Sequence, residues 1–370
     1  MKPTRFFALI ASAFTLPCFA AVRVESIPEG GLQPEVAMTK DGTIHLVYLH
    51  GEPKAAEVRY TYRKPGEAWH PGQMVNSPKS SAIALGTIRG PQLAVGGMGT
   101  VHVIWNGIGA DTSPRSPLWY ARKSREDKTF GKPQDLLGDA TALDGGASIT
   151  GNESKGGVVV WHGNEAGAAA EEKQRLILIR SSNDDGISFE KAEAANRADP
   201  GVCACCSLRA LAGPEGGPNI FYRSAETMDH RAMTLLSLSG GTWKSRGIEP
   251  WKVAACPMSS AALASTSNRL LGAWETAGQI RMGWLSDPAL PPATVAGDKA
   301  KHPSIAINGK GSILISWLQG SGWNRGGSVF WQEFDRELRP TGKAVNAGVV
   351  PARGRVTAYA EPNGDFVVLR

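Results

Sequence analysis

One pattern of apolar and polar positions repeats along the whole chain. A strand-length run, a turn rich in Gly or Asn and a second, more apolar run follow one another seven times. The copies are PEVAMTKDGTIHLVY, PQLAVGGMGTVHVIW, ASITGNESKGGVVVW, SLRALAGPEGGPNIFY, PMSSAALASTSNRLLGAW, PSIAINGKGSILISW and VTAYAEPNGDFVVL. Six close on an aromatic (Tyr48, Trp105, Trp161, Tyr222, Trp274, Trp317) and the last on Leu369, at intervals of about 43 to 61 residues. Between them lie further strand-length segments: VRYTYR (58–63), LWYARK (118–123), LILIRS (176–181), AMTLLSL (232–238), IRMGWL (280–285) and SVFWQEF (328–334). Period-2 alternation or short apolar runs bounded by turn residues mark all of them as strands.

A hairpin plus further strands at this spacing predicts an all-β propeller of four-stranded blades. Seven hairpins argue for seven blades rather than six. Only six third strands follow them, so VRVES (22–26) is expected to complete the last blade and close the ring, which removes exposed sheet edges. Gly and Pro, 44 and 24 of 370 residues, suit a chain of many turns and exclude a helical bundle.

Residues 1–20 carry Lys2 and Arg5, an apolar stretch from Phe6 to Leu16 and a small-residue site at Cys18-Phe19-Ala20, the pattern of a secretory signal peptide. Residues 21–370 then form a single propeller domain, periplasmic or secreted. No later run is long enough to span a membrane. The net charge of +6 comes without a cluster of Lys/Arg and interleaved aromatics. That argues against nucleic acid as a partner and leaves a mild bias toward small anionic ligands, glycans or a protein partner.

The turn after LILIRS reads Ser182-Asn183-Asp184-Asp185-Gly186-Ile187-Ser188-Phe189. It fits the S-x-D-x-G-x-x-F/W Asp-box: Asp184 accepts backbone N–H bonds, Gly186 supplies positive φ and Phe189 plugs the core. On this motif and the repeat, the chain resembles the sialidase-like (BNR/Asp-box) propellers. The resemblance implies an exo-sialidase or a sialoglycan binder. The (F/Y)-R-I-P arginine motif of those enzymes is missing, because Val24-Glu25-Ser26-Ile27-Pro28 has Glu where Arg belongs. Were the chain a hydrolase, Arg223, Arg231 and Arg281 would clamp a carboxylate, and Tyr222 with Glu275 would form the nucleophile pair.

Strand direction places other residues. In an up-and-down blade the first strand begins, and the second ends, on one face. Pro34, Pro91, Pro257 and Pro303 precede first strands and follow Gln33, Gly90, Cys256 and His302; Cys203-Ala204-Cys205-Cys206 fills the same place in the fourth blade. Four cysteines and one histidine from three consecutive blades are thus expected at one channel mouth, with Met258 beside them. Asn106, His162, Arg223 and Glu275, each one past a closing aromatic, face the same space. His45 and His102, inside second strands, read as structural.

Three readings of the cysteines stand open. Four cysteines in an oxidising compartment suggest two disulfides, although Cys203, Cys205 and Cys206 are so close that one bridge would be strained. Cys203, Cys205, Cys206, Cys256 and His302 also form a Cys/His set suited to copper or zinc. A single reactive thiol beside Arg223 or His302 is the third reading. Metal binding is the leading functional expectation and sialidase-type chemistry the alternative.

Overall fold

Each predicted hairpin forms the first two strands, A and B, of one sheet, and the segments between copies supply strands C and D. The computed structural model describes residues 20–86, 88–108, 116–141, 145–151, 156–169, 171–196, 200–213 and 217–370; the leader expectation, Ala20 apart, lies outside them. Seven sheets make a β-propeller: 32–74 (blade 1), 92–135 (blade 2), 148–194 (blade 3), 209–252 (blade 4), 261–296 (blade 5) and 300–349 (blade 6) are meanders, and the seventh joins the two termini. Two C strands, Leu118–Lys123 and Ser328–Phe334, coincide with the segments read from the pattern.

The seventh blade departs from a simple meander. It has three strands, and Val22–Glu25 lies parallel to strand B (Phe366–Leu369), Val22 opposite Phe366 and Glu25 opposite Leu369. Direction explains this. A strand that feeds strand A of blade 1 must end at the channel mouth, as D strands do. With no C strand present, this D-directed strand meets B directly, and D and B run the same way.

The closing aromatics pack backwards onto the preceding blade. Trp105 joins Val47, Leu49 and Val58 of blade 1, and Trp161 joins Ile104, Leu118 and Tyr120 of blade 2. Tyr222 meets Val160 and Ile177 of blade 3, Trp274 meets Phe221 and Met233 of blade 4, and Tyr48 meets Tyr359 and Val367 of blade 7. All five rings are essentially inaccessible to water. Truncating one to alanine would cost about 3–5 kcal/mol, so these contacts hold neighbouring blades together.

The Asp-box segment folds as a C–D turn on the face opposite the mouth. Asp184 Oδ1 accepts from the backbone N–H of Ser188 (2.9 Å), and Gly186 (φ 76°) donates its N–H to Ser182 Oγ (2.9 Å). Phe189 meets Tyr120 edge-on at 4.8 Å. Among the described residues no helix is long and apolar enough to cross a membrane.

Candidate functional site at the channel mouth

The segment leading into strand A of blade 4 builds the site. Gly201–Val202 pairs with Ser224 and Ala225 at the mouth end of strand B (Pro218–Ala225), and Cys203 N–H donates to Arg223 C=O at 3.0 Å. The chain then turns through Ala204, whose N–H donates to Glu172 Oε1 at 2.8 Å. This turn folds the three cysteines inward. Cys203 Sγ lies 3.6 Å from both Cys205 Sγ and Cys206 Sγ, and all three sulfurs fall within 4.8 Å of one another. The neighbouring blade fits closely: a Cβ on Gly145 would come within 2.6 Å of Cys206 O and 2.5 Å of His162 Nε2. Only glycine suits that position.

The three thiols are electrostatically unequal. Burial opposes ionisation of Cys206, but hydrogen bonds from the Cys203 and Cys205 thiols, the charge of Arg223 and the backbone N–H of Ser259 together hold its pKa well below the ordinary value. Cys203 is pushed up despite its contact with Cys205, because Cys206 and burial favour its S–H form. Cys205 is pushed up by its hydrogen bonds to Cys203 and Cys206 and by burial. Three clustered sulfurs beside a guanidinium, with Cys206 the one its neighbours favour for ionisation, have the donor chemistry that suits a soft cation.

The structure brings together only part of the expected ligand set. All four cysteines of residues 21–370 are free thiols, so the disulfide expectation is corrected: the clustered sulfurs stand 3.6 Å apart, far beyond a bond of about 2.05 Å. Cys256 does not join them and is exposed. Lys301 Nζ holds the carbonyl of Pro257, and it is Met258, in a left-handed conformation (φ 48°), that packs on the sulfur cluster. His302 is buried next to the site and its Nδ1 lies 3.1 Å from Ser260 Oγ, while Ser259 Oγ lies 3.7 Å from Cys206 Sγ. Burial, Arg355 and Lys301 keep His302 neutral, against the pull of Cys206.

The residues at the B-strand ends form a buried polar belt. Asn106 Nδ2 donates to Gly145 O at 3.0 Å, His162 Nδ1 lies 3.4 Å from Arg175 Nη1, and Arg223 Nη2 donates to Glu275 O. Arg223 also lies 4.9 Å from the centre of the Trp251 ring, with its Nε and Nη1 unbonded among the described residues. Burial raises the pKa of Glu275 against the opposing charges of Lys301 and Arg223. Arg231 is buried and pairs with Glu172 at 2.6 Å.

The hydrolase set is dispersed. Tyr222 points into the core between blades 3 and 4, opposite to Arg223, as successive strand residues must. It shares no hydrogen bond with Glu275 among the described residues. Arg281 is tied to Glu249 at 2.9 Å and to Pro292 O at 3.1 Å, in a contact within blades 4 and 5.

The pattern of the sequence missed a second charged group, which lies inside the channel. Glu35, Gln92 and Arg209 sit at the heads of A strands. Arg209 Nη2 pairs with Glu35 Oε2 at 2.7 Å and donates through Nη1 to Gln92. Arg355 lines the same cavity of 380 Å³, buried, its Nε unbonded among the described residues, its pKa lowered to about 10 by burial and by the charge of Arg209. A signal existed: polar residues recur where A strands begin (Glu35, Gln92, Ser148, Arg209, Ser304).

No protein-family model and no curated protein sequence matches the chain. Solved structures do. The Hadza microbial sialidase Hz136 superposes with a TM-score of 0.50 at 13% identity, over 77% of this chain and 63% of that one. The Trypanosoma rangeli sialidase gives 0.50 at 12% identity over 84% of this chain and 54% of its own length. The fold is that of a distant sialidase-like propeller. A Penicillium chrysogenum α-L-arabinanase superposes as well (TM-score 0.51, 11% identity, 81% and 94% of the two chains). This chain therefore spans less than two thirds of either sialidase, and at these identities the likeness is one of fold.

Proposed function

We propose that this sialidase-like propeller binds one soft metal ion through Cys203, Cys205 and Cys206, and that it does so as an exported protein. The observation that carries this reading is the convergence of three buried sulfurs within 4.8 Å, with no further His, Cys, Asp or Glu in the group among the described residues. Zinc prefers four ligands, whereas thiolates with a thioether nearby suit copper(I). Copper(I) is therefore favoured over zinc, with Met258 the nearest additional sulfur. Arg223 and Arg231 offset the negative charge that three thiolates would bring, and Cys256 and His302 stay outside the ligand set. The test is to titrate the reduced full-length chain with copper(I) against a chromophoric copper(I) chelator. One copper per chain should be withheld, and Cys206→Ser should weaken retention by more than about 100-fold, the upper end of what an outer partner of a metal ligand contributes. If the chelator strips the wild-type chain, or if Cys206→Ser retains copper equally well, the reading fails.

The channel supports a second reading, an anionic sugar held by Arg209 and Arg355. Its observation is that two guanidiniums, Arg355 buried and Arg209 partly buried, face one carboxylate, Glu35, in a cavity of 380 Å³. Binding of N-acetylneuraminate lost in Arg355→Met, or release of 4-methylumbelliferone from a sialoside, would favour it. Neither effect in a correctly folded chain would eliminate it.

A further inference from the structure

Blades 1 and 2 carry the same side chains on the face opposite the mouth. Thr43, His45 and Tyr60 of blade 1 correspond to Thr100, His102 and Tyr120 of blade 2, and each histidine places Nδ1 2.8 Å from the tyrosine oxygen. The next blade's C–D turn covers each frame with a phenylalanine: Phe130 meets Tyr60 at 5.4 Å (76°), and Phe189 meets Tyr120 at 4.8 Å (81°). The two junctions therefore share one architecture.

They differ in what fills the frame. Between blades 2 and 3, Asp185 accepts from Thr100 Oγ1 (2.6 Å) and Arg122 Nη2 (2.9 Å) and faces His102 Nε2 at 3.6 Å. A ring nitrogen facing a carboxylate is the protonated one, so Tyr120 donates to Nδ1. Between blades 1 and 2 the corresponding turn sends no carboxylate to His45 among the described residues. A pocket of 210 Å³ lies there, bordered by His45, Tyr62, Lys123 and Arg125. Asp41 is the acidic group in its wall, engaged with Thr39 Oγ1 (2.6 Å) and the backbone N–H of Thr43 (3.1 Å). Lys123 and Arg125 outnumber it, and neither forms an ion pair among the described residues. His45 is more than nine-tenths buried, lines the pocket, and has Nδ1 engaged by Tyr60. Among the described residues its Nε2 makes no hydrogen bond and is available to the pocket.

We propose that this pocket binds a carboxylate group, carried by a small acid or by an acidic side chain of a polypeptide, with His45 Nε2–H as donor and Lys123 and Arg125 as counter-charges. The ligand would occupy the place that Asp185 takes one junction further on. The metal site plays no part, so the two readings stand or fall separately.

The test follows the histidine ring nitrogens of the full-length chain by NMR, with His45→Gln identifying the His45 signals. Sodium acetate should shift His45 Nε2 saturably, and sodium chloride at matched ionic strength should not. The double variant Lys123→Gln/Arg125→Gln should bind acetate roughly 3–10-fold more weakly, the loss expected for two solvent-screened ion pairs. No saturable shift, an equal shift with chloride, or an unchanged response in the double variant would each overturn the proposal. The capped peptide Asn-Asp-Asp-Gly, which has the sequence of the turn that bears Asp185, separates the two sources. Saturation below the acetate concentration identifies an acidic polypeptide segment, and saturation at or above it a small acid; both outcomes support carboxylate recognition.

Discussion

Two buried carboxylates at opposite ends of this propeller are treated in opposite ways. On the face away from the mouth, Asp185 is surrounded by Thr100, Arg122 and His102, and all three come from a different blade. At the mouth, Glu275 is buried with one backbone donor, Gly278 N–H at 3.1 Å, and its Oε2 has no partner among the described residues. The guanidinium beside it is similarly under-used: Arg223 reaches the Glu275 carbonyl while Nε and Nη1 stay unbonded. A fully partnered buried charge holds structure together, whereas an under-partnered one lowers stability and is retained for another purpose. The contrast marks the Asp185 junction as a structural contact and leaves at the mouth the under-partnered groups on which the proposed site rests.

The sharpest way to break that contrast is to remove Asp185. Asp185→Ala deletes the blade 3 carboxylate that bridges to blade 2 and leaves Arg122 and Thr100 without their acceptor. Breaking a largely buried charged network of this kind should cost about 3 kcal/mol in chemical unfolding. A loss below about 1 kcal/mol, the range of an exposed ion pair, would show that the rim network is ornamental.

Much of this architecture is legible in the chain. Seven hairpins stand out through period-2 alternation, six closed by Tyr48, Trp105, Trp161, Tyr222, Trp274 and Trp317 and the last by Leu369, and strand direction alone puts the cysteines of blade 4 at the mouth. Which way an individual side chain points is less legible, because it depends on irregularities that composition does not reveal. Strand A of blade 6 shifts register between Lys301 and Ser304, and His302 there adopts φ 56°. A one-residue slip reverses the face a side chain serves, so His302 turns to Ser260 rather than to the sulfurs. The same limit applies to Cys256, where the left-handed Met258 reorients the segment. The closing strand is visible in the pattern, but its parallel pairing follows from the missing C strand. Arg209 and Arg355 do not stand out, because single charges at strand heads resemble any edge residue until the ring brings them together.

Acidification offers a second probe of the far rim. Burial holds His45 and His102 down to a pKa of about 4, against an unperturbed value near 6.5. Between those values the unfolded chain binds more protons than the folded one, so stability rises with pH across the window. It is fully present above pH 6.5 and is lost as the pH falls toward 4. Each histidine should contribute a slope of about 1.4 kcal/mol per pH unit at most, so lowering the pH from 6.5 to 5.5 should cost on the order of 1 kcal/mol per residue. Denaturant midpoints measured across that range should flatten by one histidine's share in His45→Gln, which keeps a side-chain amide near Tyr60. An unaltered slope would remove His45 from the linkage.

The smallest expected effect tests the mouth itself. Burial raises the pKa of Glu275, so the folded state holds its proton more tightly than the unfolded state. Its contribution therefore has the opposite sign to that of the histidines: stability is greatest below the ordinary carboxylate value and falls as the pH rises from there through the folded pKa. Glu275→Gln keeps the shape and the acceptor facing Gly278 N–H while removing the ionisation. At neutral pH the variant should match or exceed the wild type in stability, within about 1 kcal/mol, and its copper(I) retention should not fall, because one negative charge near Cys206 is gone. A loss of more than about 2 kcal/mol would instead mean that the carboxylate anchors Arg223 as Asp185 anchors Arg122. The two ends of the propeller would then follow one rule, and the unpartnered atoms at the mouth would no longer support the proposed site.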